Sequence, residues 1–196
     1  MNIAIKTVTG TQIEPYLPDL ARLRIEIFRD FPYLYEGSLE YETHYLQTYS
    51  QTIDSIVVLA FDDNKIIGAS TALPLIAETP NITQPFVNQG FNIEDILYLG
   101  ESVLQKSYRN QGIGVRFFEE REAHARRLNK KYTTFCAVER PLDHPRRPAD
   151  FIPLDNFWNH RGYIKQNQII TTFSWQDLDE NHESSKPMTF WLKKLT

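Results

Sequence analysis

A chain of 196 residues is long enough to bury one sizeable core and short for two domains. With 41% hydrophobic and 23% charged residues, its composition excludes disordered, collagenous and coiled-coil classes. The formal net charge of −4 argues against a nucleic-acid partner, but the charge is uneven: residues 1–100 hold 5 Lys and Arg against 13 Asp and Glu, and residues 101–196 hold 16 against 12.

The longest apolar run, Ile56–Phe61, is far short of the roughly 18 to 20 residues of a membrane span. The start, Met1–Val8, has no basic segment leading into an apolar one, so no secretory signal is expected. Cys136 is the only cysteine, which excludes an internal disulfide and a multi-thiolate zinc site. The expectation is a cytoplasmic protein with no membrane contact and no metal.

Alternation at Ile3, Ile5 and Thr7 predicts an opening strand. Leu20, Leu23 and Ile27 at helical spacing predict a helix over 18–30, stopped by Pro32. Ser38 can cap a second helix in which Tyr41, Tyr45 and Tyr49 share a packed face. Residues 55–61 and 65–74 are β-branched runs around Asp62-Asp63-Asn64, a hairpin. Residues 78–92, with Pro80, Pro85 and Gly90, read as a loop or short helix, and 96–105 as the next strand. Residues 112–129 are amphipathic, with Ile113, Phe117, Phe118, Arg121, His124, Ala125 and Leu128 on one side. His124 on that side is expected to be packed or hydrogen-bonded. Residues 132–138 form a strand that buries Cys136, 140–153 a proline-rich loop, and 154–161 a short helix ended by Gly162. Two closing strands follow, Ile169 to Trp175 and Met188 to Leu192, joined by a polar link around His182–Ser185. The order is β-α-α-β-β-β-α-β-α-β-β: a single α/β domain over 1–196 with a mixed sheet of about seven strands and about four helices.

The stretch from Leu99 to Gly114 carries the chemistry. A strand runs into a turn, and the turn opens a helix at Gly112-Ile113-Gly114. Two glycines let a ligand approach the backbone, and the unpaired N–H groups of a helix start attract anions, with Lys106 and Arg109 adding charge. A P-loop would need Lys-Ser/Thr where Val115-Arg116 stands, and a dinucleotide fingerprint a third glycine at Phe117. Both fail. Taken alone, Gly-x-Gly is equally a tight turn without a ligand.

Arg109-x-x-Gly112-x-Gly114, after the fourth strand and before an amphipathic helix, resembles the acetyl-CoA pyrophosphate loop of the GNAT N-acyltransferases. Phe157–Tyr163 is similar to that family's aromatic-x-x-x-Gly-aromatic segment, and the likeness spans nearly the whole chain. The resemblance implies a GNAT-like fold and acetyl transfer from acetyl-CoA to an amine of a small molecule or a protein, with a possible homodimer. It implies that Val103, Leu104 and Gln105 meet the pantetheine arm, the backbone of the last two pairing with it. It further implies that Arg109, Asn110, Gln111, Gly112, Ile113, Gly114 and Val115 hold the pyrophosphate. Two positions depart from the pattern: Trp158 stands where many members carry a tyrosine acid, and Phe151 where many carry asparagine. The alternative is a non-catalytic acyl-CoA-binding regulatory module.

An amine acceptor must lose a proton, since its pKa is near 10. The candidates are Tyr98 and Glu101 on the fourth strand, which strand alternation sends to opposite faces unless a bulge intervenes. His144 in the proline-rich loop is a base candidate or a solvated turn residue. Tyr33, Tyr35 and Arg146, on the two segments flanking the family's acceptor entrance, are the expected acceptor contacts.

Overall fold

The computed structural model describes residues 2–196. After β1 (Ile3–Val8) a 3-10 turn leads into α1 (Leu17–Phe28), which starts with Pro18 in its first turn and buries Leu17, Leu20, Ala21 and Leu23. The helix α2 (Leu39–Gln51) is capped as expected: Ser38 Oγ accepts from Tyr41 N at 3.2 Å. Its tyrosine face packs only in part, with Tyr49 buried, Tyr45 half-buried and Tyr41 exposed. The hairpin β2 (Ile56–Asp62) and β3 (Lys65–Pro74) is followed by α3 (Pro80–Asn88), β4 (Ile96–Leu104), α4 (Ile113–Arg127) and β5 (Tyr132–Val138). The chain ends with α5 (Asp155–His160), β6 (Ile164–Trp175) and β7 (Ser184–Lys194).

Of the loop and the short helix open for 78–92 the short helix is found, and two strands differ from the pattern expectation. Helix α3 forms despite Pro85, because Ile82 and Phe86, four apart, bury against the sheet; the Phe86 and Phe190 rings lie 4.9 Å apart. Strand β6 starts five residues earlier than expected, since a register shift between Gln166 and Ile170 breaks the alternation that a strand search relies on. Strand β7 begins inside the supposed polar link: Lys186 is buried there, its charge met by Glu180 at 2.8 Å.

The seven strands form one sheet in the order β1-β2-β3-β4-β5-β7-β6. All neighbours are antiparallel except β4 and β5, which are parallel and pair only over Ile96–Tyr98 and Tyr132–Thr134. Beyond Tyr98 and Thr134 the two strands part, leaving a wedge open towards the start of α4. One face of the sheet packs on α1, α2 and α3 through Leu20, Leu23, Leu46, Tyr49, Ile82 and Phe86. The other packs on α4 and α5 through Ile113, Phe117, Phe118 and Ala125. Among the described residues no helix is long and apolar enough to cross a membrane.

Candidate active site

One side of the wedge is the start of α4. Gly112 is its N-cap, with φ +81°, and no side chain caps the first turn, which also carries no acid. The first intrahelical bond is Arg116 N to Gly112 O at 3.1 Å, so the N–H groups of Ile113, Gly114 and Val115 stay free of it. A Cβ on Gly112 would meet nothing within 4 Å, and one on Gly114 only the Phe157 ring at 3.5 Å: the space over the turn is open. Asn110 also has a positive φ, 62°. Lys106 is exposed and paired with Asp30 at 3.0 Å, while Arg109 folds back so that its Nε donates to Leu104 O at 3.2 Å.

The strand end needs one correction. Gln105 N–H donates to Ile67 O at 3.0 Å, and its side-chain amide to Glu26, so its backbone donor is spent on β3. Alternation turns Leu104's backbone groups the other way, into the wedge. Of the two residues expected to pair with an extended ligand, only Leu104 faces it. Val103 buries its side chain against the α1 and α2 layer.

The other side of the wedge is made by a bulge. Ala72 pairs with Leu99 and Ser70 with Ser102, so Thr71 alone faces both Gly100 and Glu101. Upstream of the bulge, Leu97 and Leu99 point to the α4 layer and Ile96 and Tyr98 to the α1 layer. The extra residue shifts the phase, and Glu101 and Val103 join Tyr98. Gly100 is required there: a Cβ would overlap Tyr49 Oη and lie 2.7 Å from Thr71 Oγ1. Arg121, 1% exposed and without a carboxylate partner among the described residues, ties the bulge from behind. It donates to Thr71 O at 3.2 Å, Glu101 O at 3.3 Å and Ser102 Oγ at 2.9 Å. Burial lowers its pKa to about 10, so it stays cationic at neutral pH.

Glu101 is buried in a Glu42–Arg24–Glu101 cluster. Arg24 Nη1 donates to Glu101 Oε2 at 2.7 Å, Arg24 Nε donates to Glu42 Oε2, and Tyr45 Oη donates to Glu101 Oε2 at 3.3 Å. Glu101 Oε1 and Glu42 Oε1 have no hydrogen-bond partner among the described residues. Burial raises the Glu101 pKa against the pull of Arg24. Tyr98 Oη lies 3.3 Å from Cys136 Sγ, and burial pushes both groups up, the thiol to about 12. Tyr98 therefore keeps its proton at neutral pH and offers a hydrogen bond rather than a base.

Tyr33 and Tyr35 lie on the segment between α1 and α2, on the same side of the sheet as Glu101. The segment is latched: Arg140 forks onto Asp177 at 2.7 and 2.9 Å and also donates to Pro32 O at 2.7 Å and Tyr33 O at 2.8 Å. The loop 140–153 packs over it, with Phe31 and Phe151 rings 4.7 Å apart. Arg146 is exposed, its guanidinium 4.0 Å from Asp179, on the segment whose Asp177 pairs with Tyr35. His144 caps its own turn, accepting from Arg146 N at 3.2 Å. His124 is packed as expected, its Nε2 donating to Asp54 O at 2.8 Å. Trp158 is half-buried, with ring distances of 5.0 Å to both Phe135 and Trp191.

Pattern reading misses the roles of Arg24, Glu42 and Arg121. A signal was present for all three: each is a charge inside an apolar helical stripe, Leu20-Arg24-Phe28, Glu42-Leu46-Tyr49 and Phe117-Arg121-Ala125.

No protein-family profile and no curated protein matches the sequence. Solved structures do match over the full length. A ribosomal-protein-alanine N-acetyltransferase from Brucella melitensis is 15% identical with a TM-score of 0.62, covering 98% of this chain and 99% of that one. A GNAT-family acetyltransferase from Streptococcus pneumoniae is 14% identical with a TM-score of 0.59, over 99% and 100%. One from Elizabethkingia anophelis with acetyl-CoA bound is 15% identical with a TM-score of 0.53, over 99% of each chain. The parted parallel pair, the bulged fourth strand and the glycine-started helix are thus set in a GNAT acetyltransferase fold.

Proposed function

We propose that this protein transfers an acetyl group from acetyl-CoA to the amine of a small molecule. The observation that carries this reading is the meeting, at one wedge in the sheet, of an uncapped helix start and a buried carboxylate turned inward by a bulge. The residues present suit the donor: the free N–H groups of residues 113–115 and the dipole of α4 favour a pyrophosphate, and the open space over Gly112 admits it. Arg109 and Lys106 stand beside that turn, and Leu104 offers its backbone N–H to the arm. When bound, acetyl-CoA supplies an acyl group activated as a thioester. The chain's own part is to hold the acceptor on the α1 and α2 side, between Tyr33, Tyr45 and Glu101, and to take a proton from it.

The half-buried indole of Trp158, packed between Phe135 and Trp191, cannot act as an acid near neutral pH. This favours a second reading, an acyl-CoA-binding module without turnover. Thiol release from acetyl-CoA in the presence of a panel of amines separates the two. Amine-dependent release supports the enzyme; tight CoA binding in calorimetry with no release from any amine supports the module.

A further inference from the structure

We propose that the outer edge of β6 pairs with the same edge of a second copy of this chain, antiparallel about Thr172, so that two sheets join into one. The inference is independent of the acetyl-transfer reading.

The neighbouring strands define the free edge. Strand β6 closes the sheet on one side, with β7 as its only strand neighbour. Glu139 N donates to Pro187 O at 2.9 Å, so the Pro187 backbone is turned to β5. Thr172 lies opposite Pro187, which makes theirs a non-hydrogen-bonded pair and turns the Thr172 N–H and C=O away from β7. Ile170, opposite Thr189, and Ser174, opposite Ser185, stand two residues to either side and turn the same way. All three residues are exposed, Ile170 at 60%, and among the described residues no loop or helix bonds to their backbone. Helix α3 touches the strand from its face, where Thr171 Oγ1 donates to Asn81 O at 2.6 Å, and leaves the edge open.

Folded chains guard such an edge with a charge, a proline or a cover. The run Gln166–Trp175 has no charged residue and no proline, and it is rich in β-branched and aromatic residues beyond Gln168.

That run is complementary to itself. A two-fold axis at Thr172 sets this residue opposite its own counterpart, and Ile170 and Ser174 opposite each other. Each of these pairs then exchanges two backbone hydrogen bonds, about six in all. No like charges meet across the axis. Lys165 and Asp179, seven residues to either side of Thr172, are opposite in sign; within the chain they are met by Glu139 at 2.6 Å and Arg146 at 4.0 Å. Antiparallel pairing therefore brings the basic end of one edge to the acidic end of the other, and a second copy supplies both ends at once.

The test is sedimentation equilibrium of the full chain over a dilution series, comparing wild type, Thr172→Pro, Thr172→Lys and Thr172→Glu. Because the Thr172 N–H takes no part in the β6–β7 ladder, Thr172→Pro should fold as wild type does, with the same circular dichroism spectrum. Wild type should approach twice the mass of one chain as concentration rises. Thr172→Pro removes both bonds of the central pair and should weaken association at least about tenfold. Thr172→Lys and Thr172→Glu each set like charges opposite one another and should do the same, while an equal mixture of the two should associate again. A wild type that keeps one chain's mass throughout, its edge left to solvent or to another protein's strand, would overturn the proposal. So would a dimer that Thr172→Pro leaves intact, or a mixture that associates no more tightly than either charged variant alone.

Discussion

Removing the Arg24 side chain isolates the electrostatics of the site. Arg24 is 12% exposed and serves two carboxylates that are 0% and 2% exposed, so Arg24→Met leaves both buried without a cation. Breaking a buried pair in this way costs about 3–5 kcal/mol. That is a large part of the roughly 5–15 kcal/mol that holds a domain together, and it corresponds to a fall in Tm of about 6–20 °C for a chain of this size. The loss should depend on pH with a definite sign. Burial raises the folded-state pKa of Glu101 and Arg24 pulls it back, so in the variant the contribution of Glu101 is fully present below its unfolded value and is lost as pH rises. Thermal unfolding followed by circular dichroism should therefore show a small deficit at pH 5 and a large one at pH 8. Adding Glu42→Gln and Glu101→Gln to Arg24→Met should recover much of the pH 8 deficit. A deficit equal at both pH values, or one that the added substitutions deepen, would refute the reasoning.

Other outcomes follow from the same geometry. Gly100→Ala puts a methyl group into Tyr49 Oη and should destabilise by about 1–3 kcal/mol, read as a lower denaturant midpoint. Arg140→Lys keeps the charge but cannot span Asp177, Pro32 O and Tyr33 O together, so the acceptor KM should rise several-fold with CoA affinity unchanged in calorimetry. Trp158→Phe should keep most of the turnover and the shape of the pH–rate profile, because the indole packs and moves no proton.

The glycine turn that opens α4 was legible in the chain because its signals are local: two glycines, adjacent cations and the opening of an amphipathic helix. The hairpin around Asp62-Asp63-Asn64 and the cap at Ser38 were legible for the same reason. The bulge was not, although Gly100 inside a strand hints at one. Which face Glu101 takes depends on Thr71 of a neighbouring strand and on Arg121 twenty residues on, and neither enters a count of alternation. The pairing of Arg24 with Glu42 and Glu101 likewise joins three elements that only the packed sheet brings together. The 4.0 Å pairing of Arg146 with Asp179, on the connection between β6 and β7, also joins two loops that no local pattern relates.

Calorimetry of acetyl-CoA with wild type and with Gly112→Val tests the central claim most directly. Gly112 has a φ that a β-branched residue strongly resists, and the turn it shapes presents the free N–H groups of residues 113–115. Wild type should bind one equivalent of acetyl-CoA per chain, and the variant, still cooperatively folded though with a somewhat lower Tm, should bind at least about tenfold more weakly, a loss of roughly 1.4 kcal/mol. Equal affinity in the two proteins, or no binding by wild type, would contradict the account.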